Sequence, residues 1–170
     1  MRLNLNKPQT TTFLMGIPSG EAGVKATLVL MSKLTKRFKK DITIRELAVR
    51  LSSRLKQKDW RGEIANLFEF VKHEIRYIKD IANVETIHYP TQTLIVKSGD
   101  CDDKSLLLAS LLESIGYKTR FVAVGFIPNS YSHVFVQVKI NTGWLSLETT
   151  EPVKIGWTPP NIKSQMVVHN

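Results

Sequence analysis

Residues Leu106, Leu107, Leu108, Leu111, Leu112 and Ile115 form a helical pattern apolar over so wide an arc that the helix must be buried by other elements on several sides. Gly116 stops it. Three strand signals follow, at 119–126, at 131–140 with Val134, Val136 and Val138 alternating, and at 144–150. Asn141, Thr142 and Gly143 between the last two are a hairpin signal. Ahead of the apolar helix the periodicity is helical three times over. Ala22, Ala26, Val29, Leu30 and Leu34 mark the first helix. Leu47, Leu51 and Leu55 mark a second, with Thr43 and Glu46 at capping-box spacing, and Ile64, Leu67, Phe68, Val71, Ile75 and Ile78 a third behind an Asp59 cap. Thr10 to Thr12 with Phe13 and Leu14 suggest a short strand, and residues 81–99, which include Pro90, read as an irregular crossing segment. Helices first and strands last predict an α+β domain with an antiparallel sheet.

The 170 residues are 42% apolar and 23% charged, the composition of one compact domain. A chain this long buries roughly 70% of the surface exposed on unfolding, enough for a core without disulfides or a structural metal. No repeat, low-complexity tract or linker divides the chain. The expected organisation is a single domain, 1–170, with a basic N-terminal extension and helices at 1–59, a core at 60–150 and a C-terminal tail at 151–170. One cysteine and no signal-peptide pattern predict a cytoplasmic setting, and no apolar run approaches the ~18 residues of a membrane span.

The net charge of +9 lies in the first half, where residues 1–80 hold 17 Lys+Arg against 8 Asp+Glu; residues 81–170 hold 7 of each. Residues 25–61 alone carry 12 basic against 3 acidic side chains. Such a cluster is either a solvated helical face or a nucleic-acid surface, and only Phe38 and Trp60 interrupt it as aromatics.

Residues 98–105 put the lone thiol, Cys101, at the first turn of the apolar helix. A helix N-terminus lowers a thiol pKa, whereas Asp100, Asp102 and Asp103 oppose ionisation and call for a nearby cation. Its polar neighbours set Cys101 apart from a buried structural cysteine. A cysteine nucleophile needs an imidazole base, and the imidazole an orienting acceptor. His73 lies on the polar side of the third helix, His88 in the crossing segment and His169 next to the chain end, while His133 opens the alternating strand. With a two-residue loop at Asn141 and Thr142, Phe135 faces Glu148 and His133 faces Thr150, which makes His133 and Glu148 diagonal neighbours on one face; a bulged loop shifts that register. No Cys or His pair has zinc-type spacing and no Gly-rich phosphate loop is present, so neither metal nor cofactor is expected.

These three motifs, in the order Cys, His, acid, resemble the transglutaminase-like superfamily of papain-like cysteine enzymes. Residues 99–105 look like its nucleophile motif, 132–136 its histidine strand and 143–148 the strand ending in the acid; residues 80–89, with Glu85, resemble the segment upstream of the nucleophile. Including the basic helices and the Gly156-Trp157-Thr158-Pro159-Pro160 segment, the chain also resembles small transglutaminase-like proteins of Mu-like phages and prophages. The acidic position, usually Asp, carries Glu148. The resemblance implies a papain/transglutaminase-like fold and a Cys101-His133-Glu148 triad. It also implies acyl transfer from an amide of a peptide, protein or cell-wall fragment, by a peptidase, amidase or transglutaminase. The alternatives are a phage structural or interaction protein that keeps the fold without activity, located in the host cytoplasm or the virion, and a basic nucleic-acid-binding module.

Overall fold

The computed structural model describes residues 20–56, 58–79 and 86–170. The strand expected at 10–14 lies outside them. Helix α1 (Gly20–Phe38) buries Thr27, Leu28, Met31, Leu34, Thr35 and Phe38 rather than the Ala22/Ala26/Val29/Leu30 stripe. Two of its buried hydroxyls find acceptors, Thr35 on the Met31 carbonyl at 3.0 Å and Ser32 on that of His169 at 3.1 Å, while the Thr27 hydroxyl is buried without a partner among the described residues. Helix α2 (Ile42–Ser52) starts one residue before Thr43, because the Asp41 carboxylate accepts from the Thr43 and Ile44 amides. Helix α3 (Trp60–Glu74) has the expected Asp59 cap on the Gly62 amide. It ends before Ile75, whose extended backbone leads into the short strand β1 (Arg76–Tyr77).

The crossing segment is not wholly irregular. Pro90 opens helix α4 (Pro90–Val96), where its missing N–H costs nothing, and Lys97 closes it in the left-handed conformation. Strand β2 (Ser98–Gly99) then pairs in parallel with β1, placing Tyr77 beside Gly99.

Helix α5 (Cys101–Ser114) is the apolar helix, and Leu106, Leu107, Leu108, Leu111 and Leu112 are all fully buried. It packs against α1 to α4 on one side and the sheet on the other. The sheet is antiparallel, ordered β5-β4-β3-β6, from β3 (Thr119–Gly125), β4 (His133–Ile140), β5 (Gly143–Leu147) and β6 (Ser164–His169). Strand β6 falls in the expected tail and covers the edge of β3, which would otherwise be exposed. Val134, Val136 and Val138 join one core cluster with residues of α1, α2, α3 and α5. The other face of β4 is not open, since Phe135 forms a second small core with Val122 and Val124, flanked by Ile162 and Val167.

Candidate active site

The start of α5 is built around Asp100. Its carboxylate accepts from the Asp102 and Asp103 amides at 3.0 Å each, and its carbonyl from the Lys104 amide at 3.1 Å. The Cys101 amide is the one N–H of the first turn left without an acceptor among the described residues. The Cys101 thiol is partly buried and lies 3.6 Å from the Asp102 carboxylate. The acidified thiol that a helix N-terminus suggests is not what this setting produces. Burial pushes the pKa up and the Asp102 and Asp100 carboxylates push it further, while a hydrogen bond from the Val134 main chain pulls the other way without offsetting them. The resting group is therefore a protonated thiol.

Val134 ties the thiol to strand β4, where it follows His133 directly. The β4–β5 hairpin has the two-residue loop, with Ile140 opposite Gly143 and Val136 opposite Leu147. Continued three steps, this register sets His133 against Thr150 and brings His133 and Glu148 together. The His133 Nε2 atom lies 2.5 Å from Oε2 of Glu148. The other oxygen, Oε1, accepts from both the amide and the hydroxyl of Thr150 at 2.6 Å. Glu148 is 1% exposed. Burial alone would raise its carboxyl pKa, but the His133 imidazole and the two Thr150 donors together hold it below the ordinary carboxylate range. Glu148 thus presents an acceptor to the His133 imidazole at Nε2. With Nε2 engaged, Nδ1 is the ring nitrogen left to exchange a proton.

A second imidazole–carboxylate pair, not anticipated from sequence, lies two residues beyond Cys101 on the helix. Asp103 accepts from the His88 amide and bonds its Nδ1, both at 2.7 Å. Gly99 makes room for it, since a β-carbon there would lie 2.5 Å from that of Asp103. This pair pins residues 86–89 against α5. Of the other histidines, His73 forms an exposed pair with Glu69, and His169 packs edge-on to Trp144.

Beside His133 opens a cleft of about 410 Å³ lined by Tyr77, Phe126, Ser132, Thr150, Glu151, Trp157, Pro159 and Pro160. Pairing of β1 with β2 supplies Tyr77. The 154–160 loop supplies the far wall and is held to β5, where the Gly156 amide bonds the Ser146 carbonyl at 2.9 Å and the Thr158 and Ser146 hydroxyls meet at 3.0 Å. Tyr77 lies in the two-residue strand β1 and Phe126, Trp157 and Pro159 in loops, segments too short or irregular to give a periodic signal, so the sequence alone does not place them at the site. Among the described residues, no group of three or more His, Cys, Asp or Glu side chains is arranged to hold a metal ion.

The transglutaminase-like superfamily model matches residues 45–149, and the chain belongs to that superfamily. Two solved structures share its fold. One is a candidate protease from Parabacteroides distasonis, at 13% identity and TM-score 0.61, with 84% of this chain and 29% of that one covered. The other is a candidate cysteine protease from Cytophaga hutchinsonii, at 16% identity and TM-score 0.54, with 79% and 48% covered. This chain therefore spans less than half of either. Calcium-bound LapG of Legionella pneumophila aligns at 19% identity and TM-score 0.49, with 80% of each chain covered. No curated protein sequence matches the chain significantly. No described helix is long and apolar enough to cross a membrane.

Proposed function

We propose that the chain is a cysteine-dependent acyl-transfer enzyme acting on an amide of a peptide, protein or cell-wall fragment. The observation that carries this reading is the His133–Glu148 contact, made by the residue next to the one whose main chain bonds the Cys101 sulfur. Superfamily membership supports papain-like cysteine chemistry.

In this mechanism Cys101 attacks as a thiol made nucleophilic during the reaction. As its sulfur bonds the carbonyl carbon, its proton passes to Nδ1 of His133, and Glu148 stabilises the imidazolium and fixes the ring. The developing oxyanion finds the unoccupied Cys101 amide at the positive end of α5, a donor of the kind whose removal costs about 2.7–4 kcal/mol. Collapse returns the proton from His133 to the departing amine and leaves a thioester on Cys101. Water or a second amine then attacks the thioester through the same imidazole, releasing acid or a new amide and restoring the thiol. Acid quenching during turnover of an activated p-nitrophenyl ester should trap a protein heavier by one acyl group, with the added mass on Cys101. Ester turnover that persists unchanged in Cys101→Ala would defeat the proposal.

A second reading, nucleic-acid binding, is favoured by where the basic side chains lie. Lys39 pairs with Glu113 at 3.0 Å and Arg45 donates to the Ser114 carbonyl at 2.5 Å, so the basic helices meet the end of α5 opposite Cys101. Along a helix of 14 residues that is about 20 Å away. Lys40, Arg45, Arg54, Lys56, Lys58 and Arg61 are exposed there, while Asp41 and Asp59 are occupied as helix caps. Binding through phosphates would appear as duplex-DNA affinity that falls steeply with salt, independently of Cys101. Absence of binding at low salt would eliminate it.

A further inference from the structure

We infer that the cleft beside His133 is a subsite for a cationic group of the substrate, the ammonium or guanidinium of a residue adjoining the scissile amide. This rests on the acyl-transfer reading, which makes the cleft a substrate cleft. The protein carries a net charge of +9, yet among the described residues no Lys or Arg lines this cleft. Apart from His133, its charged lining residue is Glu151. Glu151 is exposed, and among the described residues no hydrogen bond or ion pair occupies its carboxylate. Exposed acids without an ion pair, such as Glu46 and Glu74, also occur on the helices, but Glu151 is the one that lines this cleft.

The rest of the lining suits the same ligand. Tyr77, Phe126 and Trp157 put three aromatic rings into one cleft with that carboxylate, and Tyr77 and Phe126 are each 46% exposed. Aromatic faces attract cations and accept the methylene stem of a long basic side chain. The Tyr77 hydroxyl pKa is raised, first by burial and then by neighbouring groups that include Glu151, the direction expected near an acid with no cation beside it. An acidic side chain would be repelled here, and a neutral one would desolvate Glu151 without compensation.

The test is a binding comparison on full-length Cys101→Ala, which cannot turn over. Acetyl-Ala-Lys-Ala-amide and its norleucine and glutamate counterparts are titrated and followed by NMR, with the Trp157 indole as reporter. The Lys peptide should bind about tenfold more tightly than the norleucine peptide, the sum of one exposed ion pair and one cation–π contact. The Glu peptide should be weakest. Adding Glu151→Gln should remove the Lys preference, and adding Glu151→Lys should reverse it in favour of the Glu peptide. Equal binding of the three, a Lys preference that survives Glu151→Gln, or no binding of any peptide at millimolar concentration would overturn the inference. Because the readout is binding, a Glu151-dependent Lys preference alongside a wild type that never acylates would instead remove the acyl-transfer reading and leave the subsite standing.

Discussion

The Nζ atom of Lys104 lies 2.6 Å from the carbonyl oxygen of Ile75. A side chain from the first turn of α5 thereby reaches the C-terminal end of α3, where it also donates to the Lys72 carbonyl at 3.2 Å. Orphan carbonyls at a helix end favour a cation, and this one is 1% exposed. The contact locks the helix that carries Cys101 onto the N-terminal layer.

Burial brings the Lys104 ammonium down to about 8 from its ordinary 10.5, with Glu148 opposing the shift and Lys72 adding to it. Between these values the unfolded chain binds more protons than the folded one, so the contribution of this group to stability rises with pH. Replacement by Met keeps the aliphatic stem but strands two carbonyls, a loss of about 1–3 kcal/mol. In urea denaturation the stability gap between wild type and Lys104→Met should widen from pH 8 to 10.5. Parallel pH profiles would show that the amine is not buried as described.

Helices α1 to α3 should not fold apart from the sheet. Leu28, Met31, Ile44, Leu47, Phe68 and Val71 share one core with Leu107, Leu111, Phe121 and Val136. Calorimetry of the full chain should give a single transition whose calorimetric and van't Hoff enthalpies agree. Residues 81–170 expressed alone, with one side of α5 uncovered, should aggregate. A fragment that folds and stays monomeric would make the basic half a separate module.

Two histidines are held by buried carboxylates, and they should behave differently. His133→Ala should lower ester turnover by about 10²–10⁴-fold, the usual worth of a general base, and should also cost about 1–3 kcal/mol of stability because the buried Glu148 carboxylate loses its imidazole partner. His88→Ala should mainly cost stability, about 1–3 kcal/mol, because it leaves the buried Asp103 carboxylate short of a partner. Steady-state kinetics with parallel denaturation separates these effects. The opposite pattern would transfer the base role to His88.

Much of this was legible in the sequence where period and turn chemistry agree. The alternation of Val134, Val136 and Val138 with the two-residue loop at Asn141 and Thr142 fixed the β4–β5 register, and with it the His133–Glu148 pairing. The apolar breadth of 106–115 identified the central helix. What escaped depends on partners distant in the chain. Strand β6 has only Met166, Val167 and Val168 as an apolar run and becomes a strand because β3 offers an edge. The buried face of α1 departs from its apolar stripe because Thr27, Ser32 and Thr35 are buried hydroxyl residues, which periodicity counts as polar. The direction of the Cys101 shift is not legible in the sequence because its largest cause is burial, which depends on what packs over the thiol.

The most direct test is the rate at which a peptidyl chloromethyl ketone modifies Cys101, mapped by peptide mass spectrometry in folded wild type, folded His133→Ala and urea-unfolded protein at pH 7. If His133 deprotonates a thiol whose resting pKa is raised, folded wild type should react at least about 100-fold faster than His133→Ala, and faster than the unfolded chain. A folded wild type that reacts no faster than His133→Ala, or only after unfolding, would contradict the assignment of Cys101 and His133 as nucleophile and base.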